Sequence, residues 1–200
     1  MASPDHITKL KRDSLKRKIL LCTTKDDLRS DDSDEVVVAR SSYSCMHKAL
    51  KDSFDFIAVV FTGGPLREHK ALVALCAALR RNPDTTKVSL LSILTKKHPI
   101  LLKWLRQVQV QYALVTHHEA INLREYLELL PFPPTDDHKL ERILAEFCPY
   151  IHYTSVNSQR EMAFCAAYQN WLLLGQYGLS RGCETTMHRK CEYFRNPRLR

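Results

Sequence analysis

Between Lys18 and Leu130 the chain switches repeatedly from short apolar runs to segments with helical spacing, and this alternation constrains its fold more than any other feature. KILLCTT (18–24), EVVVARS (35–41), FDFIAVVFTGG (54–64), KVSLLSILT (87–95) and QYALVTH (111–117) have the composition of buried strands. The intervening segments repeat their apolar residues every three or four positions. SYSCMHKALKDS (42–53) opens on serines suited to capping and carries Met46, Ala49 and Leu50 at helical spacing. LREHKALVALCAALRRNP (66–83) gathers Leu72, Leu75, Cys76 and Leu79 on one face and stops near Asn82-Pro83. HPILLKWLRQVQV (98–110) has Pro99 in its first turn, and EAINLREYLELL (119–130) is amphipathic. Strands alternating with helices predict the α/β class: a doubly wound, parallel, five-stranded sheet. Only about ten polar residues, DDLRSDDSDE, separate the first two strands, so that crossover is expected to be stripped down or locally different.

The remaining chain divides around this pattern. Residues 1–16 read as a basic arm, 17–130 as the α/β domain, 131–147 as a linker (PFPPTDD) with a short helix, and 148–200 as a small helical, cysteine-rich module. The net charge of +8 is uneven: six Lys and Arg fall between Lys9 and Lys18, and a second basic group lies between Arg181 and Arg200. Such a balance suits nucleic acid or an acidic protein. No aromatic RNA-binding motif or Gly-rich phosphate loop accompanies it, so nucleic acid is the less favoured partner. No run approaches the roughly eighteen apolar residues of a membrane span, and the start lacks an apolar signal-like stretch. The expectation is a cytoplasmic protein without membrane association, compatible with a homodimer.

Seven cysteines occur. Cys22, Cys45 and Cys76 fall in apolar elements and read as small buried hydrophobes. Cys148, Cys165, Cys183 and Cys191 lie beyond the Pro-rich boundary, separated by sixteen, seventeen and seven residues. Four cysteines in so short a segment suit a Zn²⁺ site, a [4Fe–4S] cluster, two disulfides or a redox-sensing set, or simply stand unligated. A reducing compartment disfavours disulfides, and a fifty-residue module needs reinforcement beyond its core. The metal reading is therefore preferred, with His188 and His152 as alternative ligands; wide spacing without a C-x₂-C pair tilts it towards [4Fe–4S]. Nearby Arg160, Arg181, Arg189, Lys190 and Arg195 are expected to lower the thiol pKa values, and YQNWLLLG (168–175) to pack around the site.

EVVVARSSYSCMHKALKDSFDFIAVVF and ALRRNPDTTKVSLLSILT resemble, in element order and length, the second strand to third strand and the third helix to fourth strand of response-regulator receiver (CheY-like) domains. The resemblance covers roughly residues 17–130 and implies the receiver/flavodoxin-like sheet. It also allows the family's chemistry to be checked by position. The acidic Mg²⁺ pair is matched by Thr23 and Thr24, the phospho-accepting aspartate by Val60 (or Phe61), the lysine after the fifth strand by Thr116, and the switch residue by Thr95. Asp26, Asp27, Asp31 and Asp32 lie near the missing pair and could substitute for it, although such a run reads first as a solvated loop. The cysteine arrangement, CPY followed by C, C and H..CEYF, also resembles a small C-terminal module of bacterial signalling proteins, to which no activity is attached.

Without a carboxylate at the acceptor position there is nothing to phosphorylate, and without an acidic pair there is no hard oxygen site for Mg²⁺. The sequence thus predicts a degenerate receiver: a non-enzymatic signalling platform for a protein partner, with no catalytic residue, coupled to a Cys₄ module. A second reading is an Fe–S redox protein or an α/β enzyme with an unrecognised site. For that reading FTGGP (61–65) lies where α/β sheets bind ligands, although a glycine pair there also makes a plain turn. A third reading is a nucleic-acid binder using the basic arm.

Overall fold

The computed structural model describes residues 18–24, 36–116, 134–157 and 160–199. The basic arm, the acidic run from Asp26 to Glu35 and the amphipathic segment 119–130 lie outside the described residues, and so does the first crossover.

Five parallel strands form the main sheet in the order β2-β1-β3-β4-β5: β1 Ile19–Cys22, β2 Val36–Ala39, β3 Phe56–Phe61, β4 Ser89–Leu94 and β5 Tyr112–Val115. β3 lies at the centre and every one of its six residues is buried, as a parallel strand covered on both faces requires. Because successive side chains point to opposite faces, the strands feed two separate apolar layers. Leu20, Cys22, Ile57, Val59, Phe61, Leu90 and Leu94 face one layer, where helices α1 (Ser42–Lys51), α2 (Leu66–Arg81) and α3 (Pro99–Gln107) close over them. Ile19, Leu21, Val36, Phe56, Ala58, Val60, Leu91, Ile93 and Leu114 form the other, built among the described residues from strands alone.

Local signals explain the helix ends. Ser41 caps α1 by accepting the Ser44 amide at 3.1 Å, as the serine run predicted. On α2 the buried stripe is Leu72, Leu75, Cys76 and Leu79, with His69 added one turn earlier. His98 caps α3, its Nδ1 accepting the Ile100 amide at 3.2 Å, and Pro99 occupies the first turn. The guanidinium of Arg80 ties the end of α2 to the sheet. It donates to the carbonyls of Gln109 (3.0 Å), Thr86 (2.6 Å) and Val88 (2.8 Å) and to the Gln111 side chain.

Two expectations about the C-terminal part are corrected. The segment read as a linker is part of the first core: in and after α4 (Leu140–Ala145), Leu140, Ile143 and Phe147 are buried in the layer beneath α3. The Leu140 amide donates to the Gln111 carbonyl at 3.0 Å, which fixes the segment beside β5. The cysteine-rich module is not mainly helical. It is a three-stranded antiparallel sheet, β6 Ile151–Ser155, β7 Glu161–Cys165 and β8 Leu172–Leu174, followed by short helical turns at Gln176–Gly178, Leu179–Cys183, Thr186–Lys190 and Glu192–Arg195. YQNWLLLG supplies the edge strand: Leu172 pairs with Cys165 across the ladder, but Leu172 and Leu173 are exposed.

Candidate functional site

The C-terminal ends of β1 and β3 meet at the point where the strand order reverses, the position at which open α/β sheets bind ligands. Here that point is closed. Thr23 is buried with its amide donating to the Ala39 carbonyl at 3.0 Å, and Val60 and Phe61 are 3% and 1% exposed. Val60 points into the strand-built layer and Phe61 into the helical one, where its ring meets His69 edge-on at 5.7 Å. Thr95 continues the ladder by donating to the Phe61 carbonyl at 3.2 Å, and Thr116 is buried after β5 with its amide on Leu94. None of Thr23, Thr24, Val60, Phe61, Thr95 and Thr116 supplies a carboxylate or an amine to this edge.

The module stands against the same edge. His98 bonds through Nε2 to Glu161 at 3.0 Å and packs its ring on Tyr153 at 4.7 Å. Tyr153 in turn donates to Glu184 at 2.7 Å, and Lys97 pairs with Glu146. Burial holds His98 below the usual histidine range, with the Glu161 carboxylate working in the opposite direction. Burial also pushes the Tyr153 hydroxyl up, with its bond to Glu184 adding to the rise.

Four separate segments carry the C-terminal cysteines towards one another. Cys148 follows α4 and its amide donates to the Cys183 carbonyl at 2.7 Å. Cys165 ends β7 opposite Ile151; Cys183 closes the turn Leu179–Cys183; Cys191 precedes the helical turn Glu192–Arg195, its amide donating to His188 at 2.9 Å. Cys183 lies within electrostatic reach of the other three thiols, and Cys148 within reach of Cys165 and Cys191. Among the described residues, however, no three His, Cys, Asp or Glu side chains stand at the spacing of a metal site. The donor set therefore suits a thiophilic metal in chemistry and convergence, but not in the separations it now holds.

The expected lowering of thiol pKa by neighbouring cations is not found for Cys183 and Cys148. Burial pushes Cys183 up to about 12 and raises Cys148, and the neighbouring thiols add to the effect, because a second negative charge in a dry site is unfavourable. Of the nearby bases, Arg181 instead stacks on Tyr177 at 4.7 Å and donates to its hydroxyl. His188 is 4% exposed, its Nδ1 within 3.1 Å of the Glu146 carbonyl and 2.7 Å of that of Thr185, with Phe194 edge-on at 4.9 Å. It thus bolts the module to the end of α4. His152 pairs with Phe164 in the ladder, so it faces away from Cys165 and stacks near Trp171 at 4.9 Å.

The three sheet-domain cysteines are buried as expected, but not independently. The Cys22 thiol reaches the Ser41 carbonyl at 4.0 Å, and the closeness of Cys22 together with burial raises the Cys45 thiol, with Cys76 within electrostatic reach.

The order β2-β1-β3-β4-β5, with all strands parallel, defines a doubly wound α/β protein of the flavodoxin-like class. Solved structures similar to it include the chemotaxis response regulator CheY4 of Vibrio cholerae, at 20% identity and a TM-score of 0.44, spanning 56% of this chain and 93% of that one. A response regulator from Desulfuromonas acetoxidans matches at 13% identity and a TM-score of 0.41, over 56% of this chain and 94% of its own. The response regulator protein from Burkholderia multivorans matches at 18% identity and a TM-score of 0.41, over 57% and 92%. No protein-family model and no curated protein matches the chain. Among the described residues no helix is long and apolar enough to cross a membrane.

Proposed function

We propose that the chain is a non-enzymatic signalling protein: a receiver-like sheet domain that docks a protein partner without being phosphorylated, joined to a four-cysteine module. The observation that supports this reading is the closure of the β1/β3 edge by Thr23, Val60 and Phe61, where phosphotransfer would need an open carboxylate and an acidic cation site. An edge so closed has little to offer as chemistry, whereas the packed sheet and helices remain a rigid surface for recognition.

In this reading the four converging thiols hold Zn²⁺ or a [4Fe–4S] cluster, drawn in by small shifts of the segments that carry them. A cation there would reverse the electrostatics that now raise Cys148 and Cys183. It would also brace a module whose sheet has only three short strands.

Two measurements test the proposal. Incubation with acetyl phosphate and Mg²⁺, followed by phosphosite mapping, is expected to leave every aspartate unmodified; a phosphorylated aspartate, in the run Asp26–Asp32 above all, overturns the non-phosphorylated reading. Metal and sulfide analysis of anaerobically purified protein is expected to give one zinc, or iron with matching sulfide, per chain. Metal-free protein with all four thiols titratable removes the ligand assignment.

A further inference from the structure

Beside the closed β1/β3 point, the sheet edge and the module enclose a cleft of about 790 Å³, a volume typical of small-molecule sites. One wall is the end of the Gly63-Gly64 turn and the first residues of α2; the other is β7 and the loop that leads into it. Three cations line it from three different segments: Arg67 on α2, Lys96 after β4 and Arg160 before β7. None of the three is in an ion pair among the described residues, although two carboxylates stand at the same walls. Glu161 bonds to His98, while Glu68 lies back over Gly64, so close that a Cβ there would meet its Oε2 at 2.8 Å. Gly64 also has φ +147°, so the turn that opens this wall is one only glycine makes without strain.

The floor supplies an independent observation. A smaller cavity of about 50 Å³ shares the Gly64, Leu66, Lys96 and Glu161 walls, and His69 lines it. His69 is 8% exposed, yet its ring has no hydrogen-bond partner among the described residues; its recorded ring contact is the edge of Phe61. Among the described residues no side-chain nitrogen or oxygen is both sealed from solvent and unpartnered, so the ring's polar edge opens onto the cavity that it lines. Burial favours the neutral ring, which keeps one N–H to donate. Solvent that reaches this edge is what an oxygen of a bound molecule would replace.

We infer that this cleft binds a small organic phosphate. The phosphoryl group would sit among Arg67, Lys96 and Arg160, with His69 donating from below, and the rest of the molecule would occupy the remaining volume. Three cations against the two carboxylates of Glu161 and Glu68 leave the cleft net positive, and arginine forks suit phosphoryl oxygens. The inference requires neither phosphorylation of the chain nor metal at the cysteines, so it stands or falls separately from the proposed function.

The test follows the His69 ring resonances of the full-length protein by NMR while inorganic phosphate is added at constant ionic strength, with sodium acetate as the carboxylate probe. Saturable shifts with phosphate, absent with acetate, are expected, weakened at least tenfold in Arg67→Gln and in Arg160→Gln. Both substitutions are at exposed positions, and circular dichroism checks that each variant folds. Shifts that fail to saturate, that acetate reproduces, or that survive unchanged in both variants overturn the inference. A His69→Gln variant with at least fivefold weaker phosphate binding by calorimetry supports the floor contact; unaltered affinity removes it.

Discussion

His98 joins the two units by contacts to Glu161 and Tyr153 and also caps α3, and its replacement by alanine is expected to loosen the module selectively. Losing the α3 cap costs about 1 kcal/mol. The bond to Glu161 contributes about 0.5–1 kcal/mol, discounted because that carboxylate is 32% exposed. Removing a buried ring that packs on Tyr153 costs about 1–2 kcal/mol more. The sum is about 3 kcal/mol for His98→Ala, and about 2 kcal/mol for His98→Asn, since asparagine restores the cap. The chain's two tryptophans report the units separately, Trp104 on α3 and Trp171 at the start of β8. Urea unfolding of Trp104→Phe and Trp171→Phe backgrounds should coincide in the parent. In His98→Ala the transition reported by Trp171 should come first. Coincident transitions with less than about 0.5 kcal/mol lost would refute the account of His98 as the joint.

Three further outcomes follow from the geometry. His69 and His98 are both held below the ordinary value of 6.5, chiefly by burial, so the folded state binds fewer protons than the unfolded one. Their contribution is fully present above about pH 6.5 and is lost as pH falls from there through the folded values. The Tm should therefore drop between pH 7.5 and 5.5, and less steeply in His69→Gln/His98→Asn; an unchanged slope contradicts the assignment. In chelator-treated protein at pH 7.5, iodoacetamide should label exposed Cys191 at least tenfold faster than Cys183, whose thiol is pushed up to about 12; equal rates by peptide mapping would refute the desolvation argument. Arg80→Ala should lower stability by about 2 kcal/mol, since the carbonyls of Thr86, Val88 and Gln109 lose a charged donor; a loss below about 0.5 kcal/mol in urea would show that water replaces it.

The main sheet was legible because its information is local. Runs such as FIAVVF admit little besides a buried strand, and the stripe Leu72, Leu75, Cys76, Leu79 fixes which side of α2 faces inward. The module was not legible in the same way. IHYTS and EMAFC alternate weakly and are only five residues long, so the turn signals around them read as helix ends. The short helix that carries Leu140 and Ile143 was legible after the proline run, whereas its burial under α3 together with Phe147 was not. Composition singled out Cys148, Cys165, Cys183 and Cys191 as one set, but among the described residues they do not stand at the spacing of a metal site. Their desolvation was not anticipated, since charge proximity along the chain says little about which cations turn away. The cleft lay beyond sequence reasoning, because Arg67, Lys96, Arg160 and His69 share neither a motif nor a spacing.

The closed end of β3 also bears on what a substitution could introduce at that edge. A single change of Val60 to aspartate would place a carboxylate in a layer shared with Leu21, Leu91 and Ile93, at a cost of about several kcal/mol before any cation or phosphoryl donor could compensate. Thr23, equally buried, would need to change with it. Each intermediate would be less stable than the chain as it stands and still inactive. Installing a carboxylate there would thus require the edge to open first, so the present packing acts as a barrier to that chemistry.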